Sequence, residues 1–300
     1  MNKFSIGDIE SLTGIKSHTI RIWEQRYGLI IPKRTDTNIR YYDDKDLCNF
    51  LNISTLNDNG FKISEIAKMS ETQMGEKVAI ISDELNTSCS QVTLLSSAML
   101  SLDEKKFDEI LNASIEKSGI EYTVTDVLFP FMRKIGVMWQ TSKINSAHEH
   151  FVTHLIKQKL ICSIDKLPAS PPIGKRFLLF LPEGETHEVG LLFANYLIKA
   201  RGHQVLYLGQ NLPCEDLFKV SKFYNPDYVL SVFTSVLIDS DINNLLSRII
   251  DNLPNWPLLV AGPRIMQCPV TPKNGLTVIN SIEELVEMLD KEQSLELTTH

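Results

Sequence analysis

Residues 177–200 read FLLFLPEGETHEVGLLFANYLIKA, which is a short apolar run, a polar loop and a helical stretch. Phe177–Leu181 has the length and composition of a fully buried strand, and Val189–Ala200 has the spacing of a helix. Further apolar runs separated by helical stretches follow at Val205–Leu208, Tyr228–Phe233 and Pro257–Val260. Strands that alternate with helices predict a parallel, doubly wound α/β sheet of the flavodoxin-like (Rossmann-type) class.

The region before this sheet keeps a helical pattern. Apolar residues recur there at three- and four-residue steps, and the length fits a four-helix bundle. Three prolines then mark a linker. We therefore expect a head at residues 1–75, a bundle at 76–165 and a linker at 166–175. An α/β domain at 176–292 and a tail at 293–300 follow.

The first 75 residues have the pattern of short helices with one hairpin. Ser5 and Asp8 have the spacing of a capping box, and Gly14 ends the first helix. Ser17 is the predicted N-cap of the second helix. Two helices joined by a tight turn that contains glycine form a helix-turn-helix candidate. The segment from Arg34 to Tyr42 then predicts two short strands.

Charge is unevenly distributed along the chain. The net charge is -7, yet the first 75 residues hold 10 basic and 10 acidic side chains. All the excess negative charge therefore lies in the remaining residues. Between Lys16 and Arg40 there are six basic and two acidic side chains. A short basic stretch on an acidic body is compatible with local nucleic-acid binding, although the average charge argues against a wholly basic nucleic-acid coat.

Other broad classes are excluded by the composition. No apolar run approaches the ~18 residues of a membrane span. Acidic residues at Asp8 and Glu10 argue against a signal peptide. The five cysteines contain no CxxC pair, which argues against a zinc ribbon or a disulfide scaffold. We therefore expect a soluble, cytoplasmic protein.

The head carries a specific set of motifs. Residues 19–29 read TIRIWEQRYGL, and further motifs follow at Pro32–Arg34, Ile39–Tyr42 and Asn59–Ile66. Together they resemble the MerR family of transcription regulators. The resemblance implies a winged helix-turn-helix that binds double-stranded operator DNA, with the protein acting as a dimer on near-palindromic sites.

The residue types in the second helix agree with this resemblance. A recognition helix places its N-terminal side chains against base edges in the major groove. The candidate contacts there are His18, Thr19, Arg21 and Ile22. The alternative for Arg21 is a solvated charged face. Ile20 and Trp23 are expected in the core.

Three further residues are candidates in the hairpin. Arg34 and Arg40 flank it, and their guanidinium groups suit phosphate oxygens or the minor groove. Tyr41 adds a hydroxyl that could contact a phosphate. The alternative for Tyr41 is a core tyrosine.

The loop after the first α/β strand is the candidate ligand site, because open parallel sheets bind ligands at the carboxyl ends of their strands. Glu185 lies two residues before His187 and could orient its imidazole, an arrangement typical of metal ligation. The alternative is an exposed loop histidine. The loop resembles the DxHxxG signature of cobalamin-binding domains, which implies Glu185 in the aspartate position, His187 as the lower axial cobalt ligand and Gly190 as the last glycine.

Two later segments fit the same resemblance. Ser231–Phe233 stands where that family has an SxL element lining the slot for the nucleotide tail, with Thr234 and Ser235 as alternative polar contacts. Ala261 and Gly262 stand where the family has paired glycines, because a bulky side chain would fill the slot. Phe233 and Ala261 depart from the family pattern.

One string in the bundle region extends the resemblance to nearly the whole chain. Trp139 is followed by nine residues and then by Glu149 and His150. This resembles the Trp-x9-Glu-His element of CarH-type (LitR-type) photoreceptors. The resemblance implies adenosylcobalamin as cofactor, with Trp139 capping the adenosyl group and Glu149 hydrogen-bonded to it. It also implies that His150 becomes the upper axial cobalt ligand after photolysis.

What the resemblance implies as function is a light-responsive repressor without catalytic residues. Such a protein binds operator DNA as a dimer or tetramer in the dark and releases it after light breaks the cobalt–carbon bond. The alternatives are a cobalamin-independent regulator controlled by a protein antagonist, and a corrinoid methyl carrier or cobalamin enzyme. Trp139 could instead be a core residue, and His150 with His154 could form a helical metal pair.

Overall fold

The computed structural model describes residues 3–35, 38–58, 60–85, 88–140, 144–169, 174–234, 242–253 and 256–298. Of some residues, Trp139 among them, only the backbone is described. The candidate contact Ser235 and residues 170–173 of the expected linker lie outside the described residues. Contacts divide the chain into two units, Met1–Leu155 and Ile156–His300.

The first unit begins with the two helices of the expected helix-turn-helix, α1 (Ile6–Thr13) and α2 (Ser17–Tyr27). The capping box is confirmed, since Ser5 Oγ accepts from the Asp8 N–H at 3.2 Å and Asp8 Oδ2 accepts from the Ser5 N–H at 2.6 Å. Gly14 ends α1 at a φ of 77°, a left-handed conformation that glycine adopts without steric cost.

The predicted N-cap of α2 was wrong. The N-cap residue is Lys16, and Ser17 is the first helical residue. The Ser17 hydroxyl donates to Glu10 Oε2 at 2.6 Å, and the Ser17 N–H donates to the same oxygen at 2.9 Å. A carboxylate from the preceding helix therefore satisfies the start of α2, which the hydroxyl was expected to do.

A small hairpin and two further helices complete the head. Strands β1 (Lys33–Arg34) and β2 (Arg40–Tyr41) pair antiparallel, and α3 (Asp44–Asp58) and α4 (Ile63–Ile66) follow. A bridge between Phe4 and Tyr42 joins the chain start to the hairpin. The core below α1, α2 and the hairpin consists of fully buried side chains, including Phe4, Ile9, Ile20, Tyr42, Leu47 and Phe50.

The rest of the first unit is helical. Its elements are α5 (Glu71–Leu85), α6 (Ser88–Leu100), α7 (Glu104–Tyr122), a π-helical turn (Thr123–Leu128), α8 (Phe129–Gln140) and α9 (Ser146–Asp165). The ring of Phe107 on α7 lies 5.7 Å from Phe131 and 6.3 Å from Phe151, so aromatic packing joins α7, α8 and α9. Helix α9 continues past Leu155 into the second unit.

The second unit contains the predicted parallel sheet. Its strands are β3 (Arg176–Pro182), β4 (Gln204–Leu212), β5 (Tyr228–Val232), β6 (Leu258–Ala261) and β7 (Leu276–Val278). All four pairings are parallel, in the order β4-β3-β5-β6-β7. This is the flavodoxin-like order, in which the chain reverses direction across the sheet between β3 and β5.

Helices cover the sheet in the order that the sequence predicts. They are α10 (Val189–Ala200), α11 (Cys214–Tyr224), α12 (Ile242–Asn252), α13 (Pro263–Gln267) and α14 (Ile282–Thr298). Strand β3 is buried at six of its seven positions, because helices cover both of its faces. Among the described residues, no helix is both long and apolar enough to cross a membrane.

The turn between α1 and α2 supports a prediction about acid stability. Glu10 accepts two hydrogen bonds from Ser17, and they lower its pKa from 4.5 to about 2. The bond from the Ser17 hydroxyl has the larger effect and the bond from the Ser17 N–H the smaller. A lowered pKa contributes stability above pH 4.5 that is lost as the pH falls toward 2. We expect Glu10→Gln to lower the urea midpoint, with a difference from wild type that shrinks between pH 4.5 and 2.

The matched control is Glu109→Gln, which removes the carboxylate of an exposed pair with Lys105 on α7. We expect little change in the urea midpoint for this variant. A Glu10→Gln difference that stays constant across this pH range would contradict the assigned role of the Glu10 carboxylate.

Candidate functional site

The outer face of α2 presents most of the predicted base contacts. His18, Arg21 and Ile22 are exposed, and half of the Ile22 side chain is open to solvent. Thr19 is half-buried, with its hydroxyl 3.3 Å from His18 Nε2. On the opposite face, Ile20 is fully buried, as predicted. An apolar side chain as exposed as Ile22 is available to contact a thymine methyl group.

Trp23 is half-buried instead of lying in the core. It neighbours Glu24, whose carboxylate the sequence did not single out. Glu24 Oε1 accepts a short hydrogen bond from the buried Tyr42 hydroxyl, and Glu24 Oε2 lies 3.6 Å from Arg40 Nε. Burial, and then the nearby Glu24 carboxylate, raises the pKa of Tyr42, so its hydroxyl remains a donor. One carboxylate thus connects the candidate recognition helix to the hairpin.

The three hairpin candidates differ in their surroundings. Arg34 is exposed, and its Nη1 donates to Asn38 Oδ1 at 2.9 Å and to Asn38 O at 3.2 Å. Arg40 is partly buried against Glu24. Tyr41 is half-buried, with Lys3 Nζ 4.9 Å from the centre of its ring. Arg34 is therefore the more accessible of the two arginines, and Arg40 has a structural partner of its own.

The bundle candidates lie on α8 and α9. Trp139 belongs to α8, and its side chain is not described. Glu149 accepts from Thr153 Oγ1 at 3.2 Å, and His150 is exposed with Nε2 4.0 Å from Glu149 Oε2. Neighbouring His148 is buried, with Nδ1 2.8 Å from Asn145 Oδ1.

The two histidines of the alternative helical metal pair, His150 and His154, both lie on α9. The rings of His150 and His154 lie 6.3 Å apart. Within the ranges that the structure describes, no group of three or more His, Cys, Asp or Glu side chains could hold a metal ion.

Glu185 and His187 form the centre of the candidate site in the second unit. The Glu185 side chain has no exposed surface, and its Oε1 lies 2.7 Å from His187 Nδ1. Because a carboxylate can only accept, Nδ1 carries the proton in this pair, and Nε2 is the nitrogen that would bind a metal. The His187 side chain is 51% exposed. A buried acceptor therefore fixes the tautomer and orientation of an accessible imidazole.

The same carboxylate also ties this loop to the end of β5. Glu185 Oε1 accepts from the His187 N–H at 3.0 Å, and Glu185 Oε2 accepts from the Thr234 N–H at 2.8 Å. Thr234, an alternative polar contact in the sequence, thus uses its backbone here. Asn211, which the sequence did not single out, donates its N–H to Glu185 O at 3.3 Å and accepts from the Gly184 N–H at 2.9 Å.

Ser231 has a buried hydroxyl that could form a hydrogen bond with a ligand. It is fully buried on β5, and its Oγ has no hydrogen-bond partner among the described residues. Buried hydroxyls are normally hydrogen-bonded, so an unsatisfied one next to a candidate site needs an explanation. The buried Ser231 hydroxyl and the Glu185–His187 pair together fit a cobalamin with a histidine-bound cobalt and a polar tail.

Two of the predicted glycines lie where parts of the chain approach each other closely. A Cβ on Gly262 would lie 2.4 Å from Phe233 O, and a Cβ on Gly190 would lie 3.0 Å from Val232 Cγ1. At Gly262 the loop after β6 lies close to the loop after β5, and at Gly190 helix α10 lies close to β5. Both close approaches favour a small residue. Phe233 is itself fully buried, and Ala261 at the end of β6 accepts from its N–H at 2.8 Å.

Family models match two segments of the chain. A model described as "MerR HTH family regulatory protein" matches residues 4–73. A model described as "B12 binding domain" matches residues 92–162, which lie in the helical region before the sheet.

The chain is also similar to curated proteins along most of its length. It is 28% identical over 271 residues to the HTH-type transcriptional repressor CarH of Myxococcus xanthus, covering 86% of this chain and 88% of CarH. It is 26% identical over 259 residues to the repressor CarA of the same organism, covering 86% and 85%. Among solved structures, the monomethylamine corrinoid protein of Methanosarcina barkeri aligns with a TM-score of 0.48 and 14% identity. The alignment covers 70% of this chain and 99% of the corrinoid protein.

The close approach at Gly262 leads to a prediction. Its φ is +107°, a region that other residues rarely adopt. We expect Gly262→Ala to lower the free energy of unfolding by about 2 kcal/mol or more, measured by urea unfolding. Gly136→Ala on α8 is the control, because its added Cβ meets nothing within 4 Å and alanine favours a helix. Equal stability of both variants would contradict the close contact with Phe233.

Proposed function

Because the chain belongs to the CarH-type regulators, which join a MerR-type head to a B12-binding region, we propose that it is a light-responsive, adenosylcobalamin-dependent transcriptional repressor. In the dark it binds operator DNA as an oligomer, and light releases the DNA. The observation that carries the proposal is the Glu185–His187 pair, in which a buried carboxylate presents an accessible imidazole nitrogen at the carboxyl end of a parallel strand. The proposal assigns no catalytic residue.

The residues of the second unit would hold the cofactor. His187 Nε2 would bind the cobalt. Glu185 holds the proton on Nδ1, so Nε2 keeps its lone pair for the metal. The buried Ser231 hydroxyl would donate a hydrogen bond to the nucleotide tail or accept one from it. When bound, adenosylcobalamin supplies a cobalt–carbon bond that visible light breaks.

Residues of the bundle are proposed for the upper face. Trp139 on α8 and Glu149 on α9 would contact the adenosyl group, and His150 would take its place as a ligand after photolysis. Glu149 and His150 are partly or largely exposed near the start of α9, so both side chains have room to engage a cofactor. In domain terms, DNA binding is assigned to residues 1–75, and cofactor binding to residues 76–165 and 176–292.

Reading of DNA is assigned to α2 and the hairpin. The exposed His18, Arg21 and Ile22, together with Thr19, would contact base edges. Arg34, Arg40 and Tyr41 would contact phosphates on either side. The Glu24 carboxylate supports this assignment, because it holds the hairpin and α2 in one arrangement.

A salt titration tests the phosphate contacts. We expect Arg34→Ala and Arg40→Ala each to weaken DNA binding and to flatten the log–log dependence of affinity on salt by about one unit. Lys105→Ala, on the exposed face of α7, is the control and should leave the slope unchanged. An Arg40→Ala variant with weaker binding but an unchanged slope would assign Arg40 to the Glu24 pair alone.

A second experiment tests the cofactor and the light response. The protein is purified with adenosylcobalamin in darkness, and gel filtration then follows cobalamin absorbance, elution volume and operator binding before and after green light. We expect bound cobalamin with red-shifted absorbance, a smaller species after light, and DNA release. His187→Ala should change the absorbance or abolish binding of the cofactor. His154→Ala, an exposed histidine on α9, should behave as wild type.

The outcomes distinguish the proposal from its alternatives. DNA binding without retained cobalamin, and without any effect of His187→Ala, would indicate a cobalamin-independent regulator. Retained cobalamin with methyl transfer to a partner protein and no operator binding would indicate a corrinoid methyl carrier. Either result would overturn the light-responsive repressor.

A further inference from the structure

Glu188, the residue directly after His187, has two partners of its own. Its Oε2 forms an ion pair with Lys157 Nζ on α9, and its Oε1 accepts from the Tyr207 hydroxyl on β4 at 3.0 Å. Only 20% of the Lys157 side chain and 14% of the Glu188 side chain are exposed. All three residues belong to the second unit. A carboxylate adjacent to the candidate cobalt ligand is therefore bound to two other elements.

The surroundings make this cluster specific. Gly209 on β4 lies next to the Glu188 carboxylate, and its φ of +73° is a backbone conformation that favours glycine. Both carboxylate oxygens are occupied, one by a cation and one by a hydroxyl. Because both side chains are mostly buried, removal of one partner would leave the other charge largely without a counter-charge or water.

Packing and the ion pair both hold α9 here, since Ile156 and Leu160 on either side of Lys157 are fully buried. A cavity of about 470 Å³ lies beside the cluster, and Glu188 and Tyr207 line it together with residues of α9 and α10, among them Ile161, Leu192 and Asn195. Next to this cavity, the ion pair between Lys157 and Glu188 joins α9 to the residue that directly precedes α10.

The face of α9 that carries Lys157 also carries a proposed site residue. His150 lies seven residues earlier, which is two turns, or ~10 Å, along the same side of the helix. A rotation of α9 about its axis would break the Lys157–Glu188 pair and would move His150 by the same angle. The rotation of α9 is thus linked to the loop that carries His187.

We propose that Lys157, Glu188 and Tyr207 form a positioning cluster that couples the His187 loop to the rotation of α9, and through it to the light response. The cluster touches neither cofactor nor DNA in this assignment. The inference rests on the proposed function, since it specifies which contact of the chain transmits the change at the cofactor loop to the bundle.

The test compares Lys157→Met, Lys157→Arg and wild type in the full-length protein. In the cofactor-free state we expect Lys157→Met to raise hydrogen exchange about tenfold in peptides that cover residues 150–160, because α9 loses its anchor. Lys157→Arg keeps the charge and should restore protection. Lys219→Met, which removes an exposed pair with Asp216 on α11, is the matched control and should match wild type.

The second readout uses protein loaded with adenosylcobalamin. At equal cobalamin occupancy and equal far-ultraviolet circular dichroism, Lys157→Met should reduce the light-induced change in the DNA dissociation constant at least tenfold, and Lys157→Arg should restore it. A purely structural contribution would lower stability without this selective loss. If Lys157→Met does not fold, Tyr207→Phe removes only the hydroxyl and should shift both readouts in the same direction, by a smaller factor.

Different experimental results would overturn the proposed function and the positioning cluster. A wild-type protein whose DNA binding does not respond to light overturns the proposed function, and the coupling with it. A responsive wild type with an equally responsive Lys157→Met overturns the positioning cluster alone. Exchange in Lys157→Met that equals exchange in wild type and in Lys219→Met also overturns it.

Discussion

Glu185 holds three hydrogen-bond donors from two loops with one carboxylate that has no exposed surface. A buried carboxylate is stable only while its donors stay in place, so the His187 loop and the backbone at Thr234 are held together. The orientation of the imidazole follows from this constraint. Because the loops end neighbouring strands, these residues meet at the switch point of the sheet, which is where open parallel sheets bind ligands.

Two other carboxylates join elements in the same way. Glu24 connects the candidate recognition helix to the hairpin through Tyr42 and Arg40, and Glu188 connects the His187 loop to α9 through Lys157. In each case a charged group that is mostly buried has its partners on a different element. Removal of one partner from such a contact would leave a mostly buried charge without its counter-group.

Much of the fold was predictable because its signals are local. Apolar runs such as Phe177–Leu181 predicted the strands of a parallel sheet, and the sequence from Ser5 to Gly14 predicted the first helix with both ends. Ser17 was mispredicted because its hydroxyl has a competing acceptor seven residues earlier in Glu10. Gly262 was predicted as a slot residue from the resemblance, and the structure adds its close approach to the Phe233 backbone, which no local pattern reports.

The sequence by itself determined the order of elements, the strand and helix pattern and the motifs that relate the chain to DNA-binding and cobalamin-binding families. These depend on neighbours within a few residues, where periodicity and residue type suffice. Only the tertiary structure decided that Arg40 lies against Glu24, that the Ser231 hydroxyl is buried with no hydrogen-bond partner among the described residues, and that Glu188 binds Lys157. Such contacts join residues that are 16 to 31 positions apart in the two ion pairs. Folding, not local sequence, brings them together.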